Sequence, residues 1–210
     1  MKTTNQPDEG RKGSPPGGTC ILGRLEKSDA SASRRTGSHP KRYSLNELNR
    51  LGREHFVRVV GPVYEHSPWI AEQTWAQRPF ESGGALHRAL CNTVLASDEA
   101  TKVALIRAHP DLAGKAARPG RLTAASTREQ ASAGLDHLTP EEAALFDKHN
   151  RAYRERFGFP FVICARRNKK EAVLASFERR LQNSREQEIE AALAEICKIA
   201  ELRLNDLIAS

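Results

Sequence analysis

No stretch of the chain approaches eighteen consecutive apolar residues, and no apolar core of seven residues follows the charges at its N-terminus. The first absence excludes a membrane-spanning helix and the second a secretory signal, so a cytoplasmic protein is expected. Cysteine is sparse: Cys20, Cys91, Cys164 and Cys197 are widely separated with no CxxC pair, which argues against a zinc knuckle or a disulfide framework and for reduced thiols. The seven histidines (His39, His55, His66, His87, His109, His137, His149) show no HxH, no HExxH and no i,i+4 pair, so no metal site is expected. A GxSxG elbow and a glycine-rich phosphate loop are also missing, which removes the commonest hydrolase and nucleotide chemistries.

Positive charge is in excess, at +7 over 210 residues, but it is unevenly placed. Residues 1–42 carry nine Lys and Arg against four Asp and Glu, which leaves 24 basic and 22 acidic residues for the remaining 168. A nucleic-acid-binding domain would carry the excess on its folded part, so no nucleic-acid partner is expected. Residues 1–42 are rich in Gly, Pro and Ser, with one apolar island at Cys20–Leu22. Such a segment buries too little apolar area to offset its ordering entropy and is expected to be a disordered tail before a single domain over 43–210. Arg34 and Arg35 lack the apolar run of an export signal, and the chain ends Ile208-Ala209-Ser210 rather than in a peroxisomal Ser-Lys-Leu.

What is present reads as helix. Ser44 and Glu47 have capping-box spacing, as do Ser126 and Glu129 before Ala131–Leu135, and Thr139 and Glu142 before Ala143–Phe157. Pro68 opens a helix through Trp69 and Trp75, which should pack the core; Leu86–Leu95 is another, and Asp98 caps Glu99–Ala108. Pro110 ends the last of these at His109. Phe157–Ala165, FGFPFVICA, is the single strand-like run, and without a partner it is expected to cross the core as extended chain. Further helices cover Lys169–Leu181 and, capped by Ser184, the stretch to Leu207. The fold class is therefore all-α, a compact multi-helix bundle with a short extended segment at 158–165. On the last helix Ile189, Leu193, Ile196, Ala200, Leu204 and Leu207 form one apolar stripe. Arg203 lies about 40° from its centre, either snorkelling from the edge or serving as a partly buried anion receptor.

Several dense segments carry more polar chemistry than packing requires: HSPWI from His66, AHPDLAG from Ala108, STREQ from Ser126, FGFPFVICA, and LRL around Arg203. Each has a plain structural explanation. His109 could be a helix C-cap, Ser126 and Glu129 a capping box, and FGFPF core. Taken together and in this order, they resemble the 2-oxo-4-hydroxy-4-carboxy-5-ureidoimidazoline (OHCU) decarboxylase family. The resemblance runs from about Leu45 to Leu207 through HSPWIAE, WAQRPF, AHPDLAGK, LTAASTREQASAGLD, RFGFPFVICARRNKK, RLQNSREQEIEAAL and KIAELRLNDL.

The resemblance implies a helical homodimer acting on OHCU without any cofactor, releasing CO2 and forming (S)-allantoin. It places His109 and Glu129 as catalytic residues. Pro110, Ser126, Gln130, Arg203 and the segment Phe161, Val162, Ile163, Cys164 and Ala165 become the substrate-binding set. The backbone, not the thiol, of Cys164 would serve. An alternative of another class is a catalytically inactive helical scaffold whose basic tail recruits a partner; intact His109, Glu129, Gln130 and Arg203 weigh against it.

Overall fold

The computed structural model describes residues 41–113 and 122–209. The predicted tail up to residue 40, with Cys20, and the stretch 114–121, with Gly114 of the HPDLAG motif, lie outside the described residues. The described residues form nine α-helices and no strand; one isolated parallel bridge joins Tyr43 to Ile208. Arg42 donates to the carbonyls of Asn205 and Ile208, which ties the start of the described chain to its end.

Capping chemistry sets most helix starts. Ser44 and Glu47 form a complete capping box on α1 (Leu45–Arg50), as do Thr139 and Glu142 on α7 (Pro140–Phe157) and Ser184 and Gln187 on α9 (Arg185–Leu207). Asp98 accepts from the Thr101 amide to open α5 (Glu99–Arg107), and Ser82 does the same for Ala85 in α4 (Gly83–Leu95), which starts three residues before the expected Leu86. α3 (Trp69–Thr74) and α8 (Lys170–Arg180) match expectation. α2 (Arg53–Val60) was not expected: only Phe56 and Val60 are buried in it, and no side chain caps its start at Gly52.

The capping box expected at Ser126 and Glu129 does not form. Thr123 caps α6 (Ala124–Ser132) instead, accepting the Ser126 amide, so Ser126 and Glu129 lie inside the helix. An earlier cap adds a turn of helical hydrogen bonds, and Thr123 additionally donates its hydroxyl to Ser126 Oγ at 3.1 Å. Glu129 is thereby released from any capping duty, and Ser126, Glu129 and Gln130 fall on one face at i, i+3 and i+4.

α9 is the spine, packed against α4 and α5. Its expected stripe is buried through Ile189, Leu193, Ile196, Ala200 and Leu204, with Leu207 only partly covered, and Arg203 is buried among them. A second, aromatic part of the core joins Tyr153 and Phe157 of α7, Phe159 and Phe161 of the extended run, and Phe177 of α8, the rings of Phe161 and Phe177 stacking at 3.8 Å. Trp69 and Trp75 pack against the core as expected. α7 stops at Gly158, whose φ of +77° is the left-handed cap that lets the chain reverse into FGFPF.

Candidate active site

His109 follows the last turn of α5, and its amide closes that turn on Ile106 O. Its ring is buried, and Nδ1 lies 3.0 Å from the Leu105 carbonyl. A carbonyl only accepts, so Nδ1 carries the proton and Nε2 is the unprotonated nitrogen of the neutral ring. Burial pulls the histidine below its ordinary value, outweighing the Leu105 carbonyl and the Glu65 carboxylate, so His109 is neutral at pH 7.

The loop after His109 is fastened from two sides. Gln130 donates to Asp111 O and accepts from Ala113 N at 2.9 Å, while Asn150 of α7 donates to Leu112 O. Arg154 of α7 holds the Asp111 carboxylate through both oxygens. Ala113 is held at φ +51°, a left-handed conformation costly for a residue with a Cβ, and the Gln130 amide clamps it there. Gln130 therefore shapes the loop that carries His109 and Pro110.

Opposite lies Arg203 of α9. Nε and Nη2 meet the two oxygens of Glu129, each at 2.7 Å, in the fork geometry of a bidentate pair. Nη1 reaches Glu65 Oε2 at 2.9 Å, and Nη2 also lies 3.2 Å from Ser126 Oγ. The Ser126 hydroxyl donates to Glu65 Oε1. Glu65 was not anticipated: it sits beside the more conspicuous His66, yet His66 is exposed and Glu65 is only 3% exposed. A single carboxylate between apolar Val63-Tyr64 and HSPW has no spacing signature, so sequence gave no signal for it.

Burial raises the Glu65 carboxyl, but the charge and hydrogen bonds of Arg203 outweigh it and hold it below the usual carboxylate range. For Arg203, burial opposes the charge, yet Glu129 and then Glu65 drive its pKa up. The guanidinium fork expected to await a substrate carboxylate is thus occupied by the protein's own carboxylates.

The extended run closes the site. Arg180 of α8 donates to Val162 O at 2.7 Å and lies 4.5 Å over the Phe161 ring, and Arg180 is itself paired with buried Glu188, which also accepts from Tyr153. Cys164 donates its amide to Glu195 of α9 at 2.8 Å, and its carbonyl accepts from Arg167 N and Asn168 Nδ2. Both backbone groups of Cys164 are committed within the protein, and burial pushes its thiol up, away from nucleophilic character. The amides of Val162 and Ile163 have no partner among the described residues.

These pieces line a half-open cavity of about 30 Å³. Ten of the eleven residues expected from sequence line it: His109, Pro110, Ser126, Glu129, Gln130, Phe161, Val162, Ile163, Ala165 and Arg203. Cys164 does not, and Leu112 and Ile199 join them. Glu129 and Arg203 also line an adjoining cavity of about 450 Å³, which makes their ion pair the wall between the two. Among the described residues no cluster of three or more His, Cys, Asp or Glu has metal-holding geometry, and no helix is long and apolar enough to cross a membrane.

The profile of the OHCU decarboxylase family matches residues 49–205. The chain belongs to the OHCU decarboxylase family. The family member of Halalkalicoccus jeotgali is 40% identical over 166 residues, 79% of this chain and 92% of its own. That of Mus musculus is 40% identical over 162 residues, 77% and 91% of the two chains. Among solved structures, an (S)-allantoin synthase superposes with a TM-score of 0.62 at 30% identity, over 79% of this chain and 54% of that one. An OHCU decarboxylase crystallised in the presence of (S)-allantoin shares the fold with a TM-score of 0.55 at 21% identity, over 68% and 92% of the two chains.

Proposed function

We propose that the protein decarboxylates OHCU to (S)-allantoin and CO2 in urate breakdown, as a cofactor-independent cytoplasmic enzyme and a homodimer. The observation that carries the reading is the cavity lined by His109, with Nε2 unprotonated, by the Arg203–Glu129 pair, and by Val162 and Ile163, whose amides have no partner among the described residues. Family membership supplies the reaction, and the dimer follows from the resemblance.

The chemistry suits these groups. The departing carboxylate is attached next to a ring C=N, so the electron pair left by CO2 moves into that bond, and the substrate supplies its own electron sink. What the protein must do is orient the ring, shield it from water and deliver a proton to one face. Release of Arg203 from Glu129 opens the wall of the cavity and frees a planar fork for the substrate carboxylate. The amides of Val162 and Ile163 are donors for the oxygens of the ureido and imidazoline portions, and His109 handles the proton.

The test generates OHCU from urate with a urate oxidase and a hydroxyisourate hydrolase, adds the purified protein, and follows circular dichroism. Spontaneous decay gives a racemate with no lasting signal, so a rapid rise of (S)-allantoin is expected. A rate equal to the blank, from folded protein, sinks the proposal.

A further inference from the structure

Two carboxylates share one guanidinium in this site, and one of them, Glu65, belongs to no motif read from the sequence. Its Oε2 is 2.9 Å from Arg203 Nη1 and its Oε1 accepts from Ser126 at 3.1 Å. Glu129 takes the other edge of the same guanidinium. The groups facing Glu65 are Arg203 from α9, Ser126 and Thr123 at the start of α6, and His109 after α5. Of the other charges nearby, Arg166 pairs with Asp206, Arg167 with Glu201, Lys198 with Glu195 and Arg154 with Asp111, while Lys41 and Arg128 line the adjoining cavity and not this one. With His109 neutral, the enclosed group carries two negative charges and one positive, a net of minus one. A substrate that is itself a carboxylate brings this to minus two inside a buried cavity, where unbalanced charge is costly.

We propose that Glu65 is a positioning residue of the decarboxylation site, and that its unmatched charge makes binding of the anionic substrate take up one proton. The inference rests on the OHCU decarboxylase reading. Glu65 keeps Arg203 in place when Glu129 lets go of it, and the proton settles on Nε2 of His109, the site's one unprotonated imidazole nitrogen. The reaction needs just that proton. The substrate reacts as R–COO⁻ + H⁺ → R–H + CO2: the bond to the carboxylate breaks, its electron pair enters the adjacent C=N, and the proton then forms the new C–H bond. CO2 leaves uncharged and the site returns to its resting charge, so the proton captured on binding is the one consumed.

Calorimetric titration with two stable ligands tests this: hydantoate, a ureido carboxylate ionised throughout the range, and uncharged (S)-allantoin. Uptake of one proton makes hydantoate binding fall tenfold per pH unit, about 30-fold between pH 6.5 and 8, while allantoin binding stays within about twofold. In Glu65→Gln the hydantoate slope flattens, and Glu65→Asp keeps it. A wild-type hydantoate affinity independent of pH, or no hydantoate binding at pH 6.5 where allantoin binds, overturns the proposal. So does a Glu65→Gln protein that keeps the full slope, since a purely structural Glu65 would weaken both ligands alike. Failure of both ligands to bind, together with a blank rate in the dichroism assay, would instead remove the decarboxylase reading itself.

Discussion

His109 and Arg203 divide the work of the site, and each makes a prediction of its own. Replacing His109 by Asn keeps a short polar side chain near the Leu105 carbonyl but removes the titrating nitrogen. Turnover should fall by about 10²–10⁴-fold with the folded structure retained, measured by the dichroism assay and by thermal unfolding. Full activity in His109→Asn would show that the proton comes from elsewhere. Arg203→Lys keeps the charge but substitutes a point donor for a fork that meets Glu129, Glu65 and Ser126 together. It should lower kcat/KM on the order of 100-fold, and an unchanged value would mean the bidentate geometry is irrelevant. The resemblance singled out both residues, with Ser126 and Gln130, and all four line one cavity. The sequence was silent about Glu65, because a lone buried carboxylate has neither periodicity nor a spaced partner. The partner that gives it meaning is 138 residues away.

Elements place those side chains. The run Phe159–Cys164 stays non-helical up to a 3-10 turn that begins at Ala165, one residue short of the expected end, and side chains of α8 and α9 take the Val162 carbonyl and the Cys164 amide while the Val162 and Ile163 amides have no partner among the described residues. It can enter the core only because α7 ends on a left-handed residue. Gly158→Ala should therefore cost about 1–2 kcal/mol of stability, read from the urea midpoint, since a Cβ is strained at φ +77° although only Arg107 Nη2 lies near it, at 3.5 Å. No change in midpoint would show that the cap is not strained. α6 illustrates the opposite limit of sequence reading. Local pattern favours Ser126, which has Glu129 three residues on, and does not select Thr123, the cap that forms. Tertiary contact does: only a helix that begins at Ala124 turns Ser126, Glu129 and Gln130 together toward α9 and the HPDLAG loop.

At the scale of the whole molecule, burial of ionisable groups sets the acid response. Folded His109 lies below its ordinary 6.5, so the unfolded chain binds more protons and stability falls as pH drops below about 6.5. Glu65 lies below its ordinary 4.5, so its contribution is present above that value and is lost as pH falls further. Denaturant midpoints measured from pH 4 to 7.5 should be flat above pH 7 and should decline first in the histidine window. His109→Asn should remove that first decline and leave the second. A wild type whose midpoint is level down to pH 5 would contradict a buried neutral histidine.

The sequence by itself determined most helix boundaries, the absence of sheet among the described residues and the core-crossing run, because caps and apolar period act within one or two turns; the set of residues that line the cavity came from the resemblance of their motifs to a family. Only the tertiary structure decided which cap α6 uses, which of these residues touch each other, and that Glu129 binds Arg203 and Gln130 the loop. The charge balance of the site was also decided there: Glu65, Glu129 and Arg203 come from three distant segments, and electrostatic energy depends on their separation in space rather than along the chain.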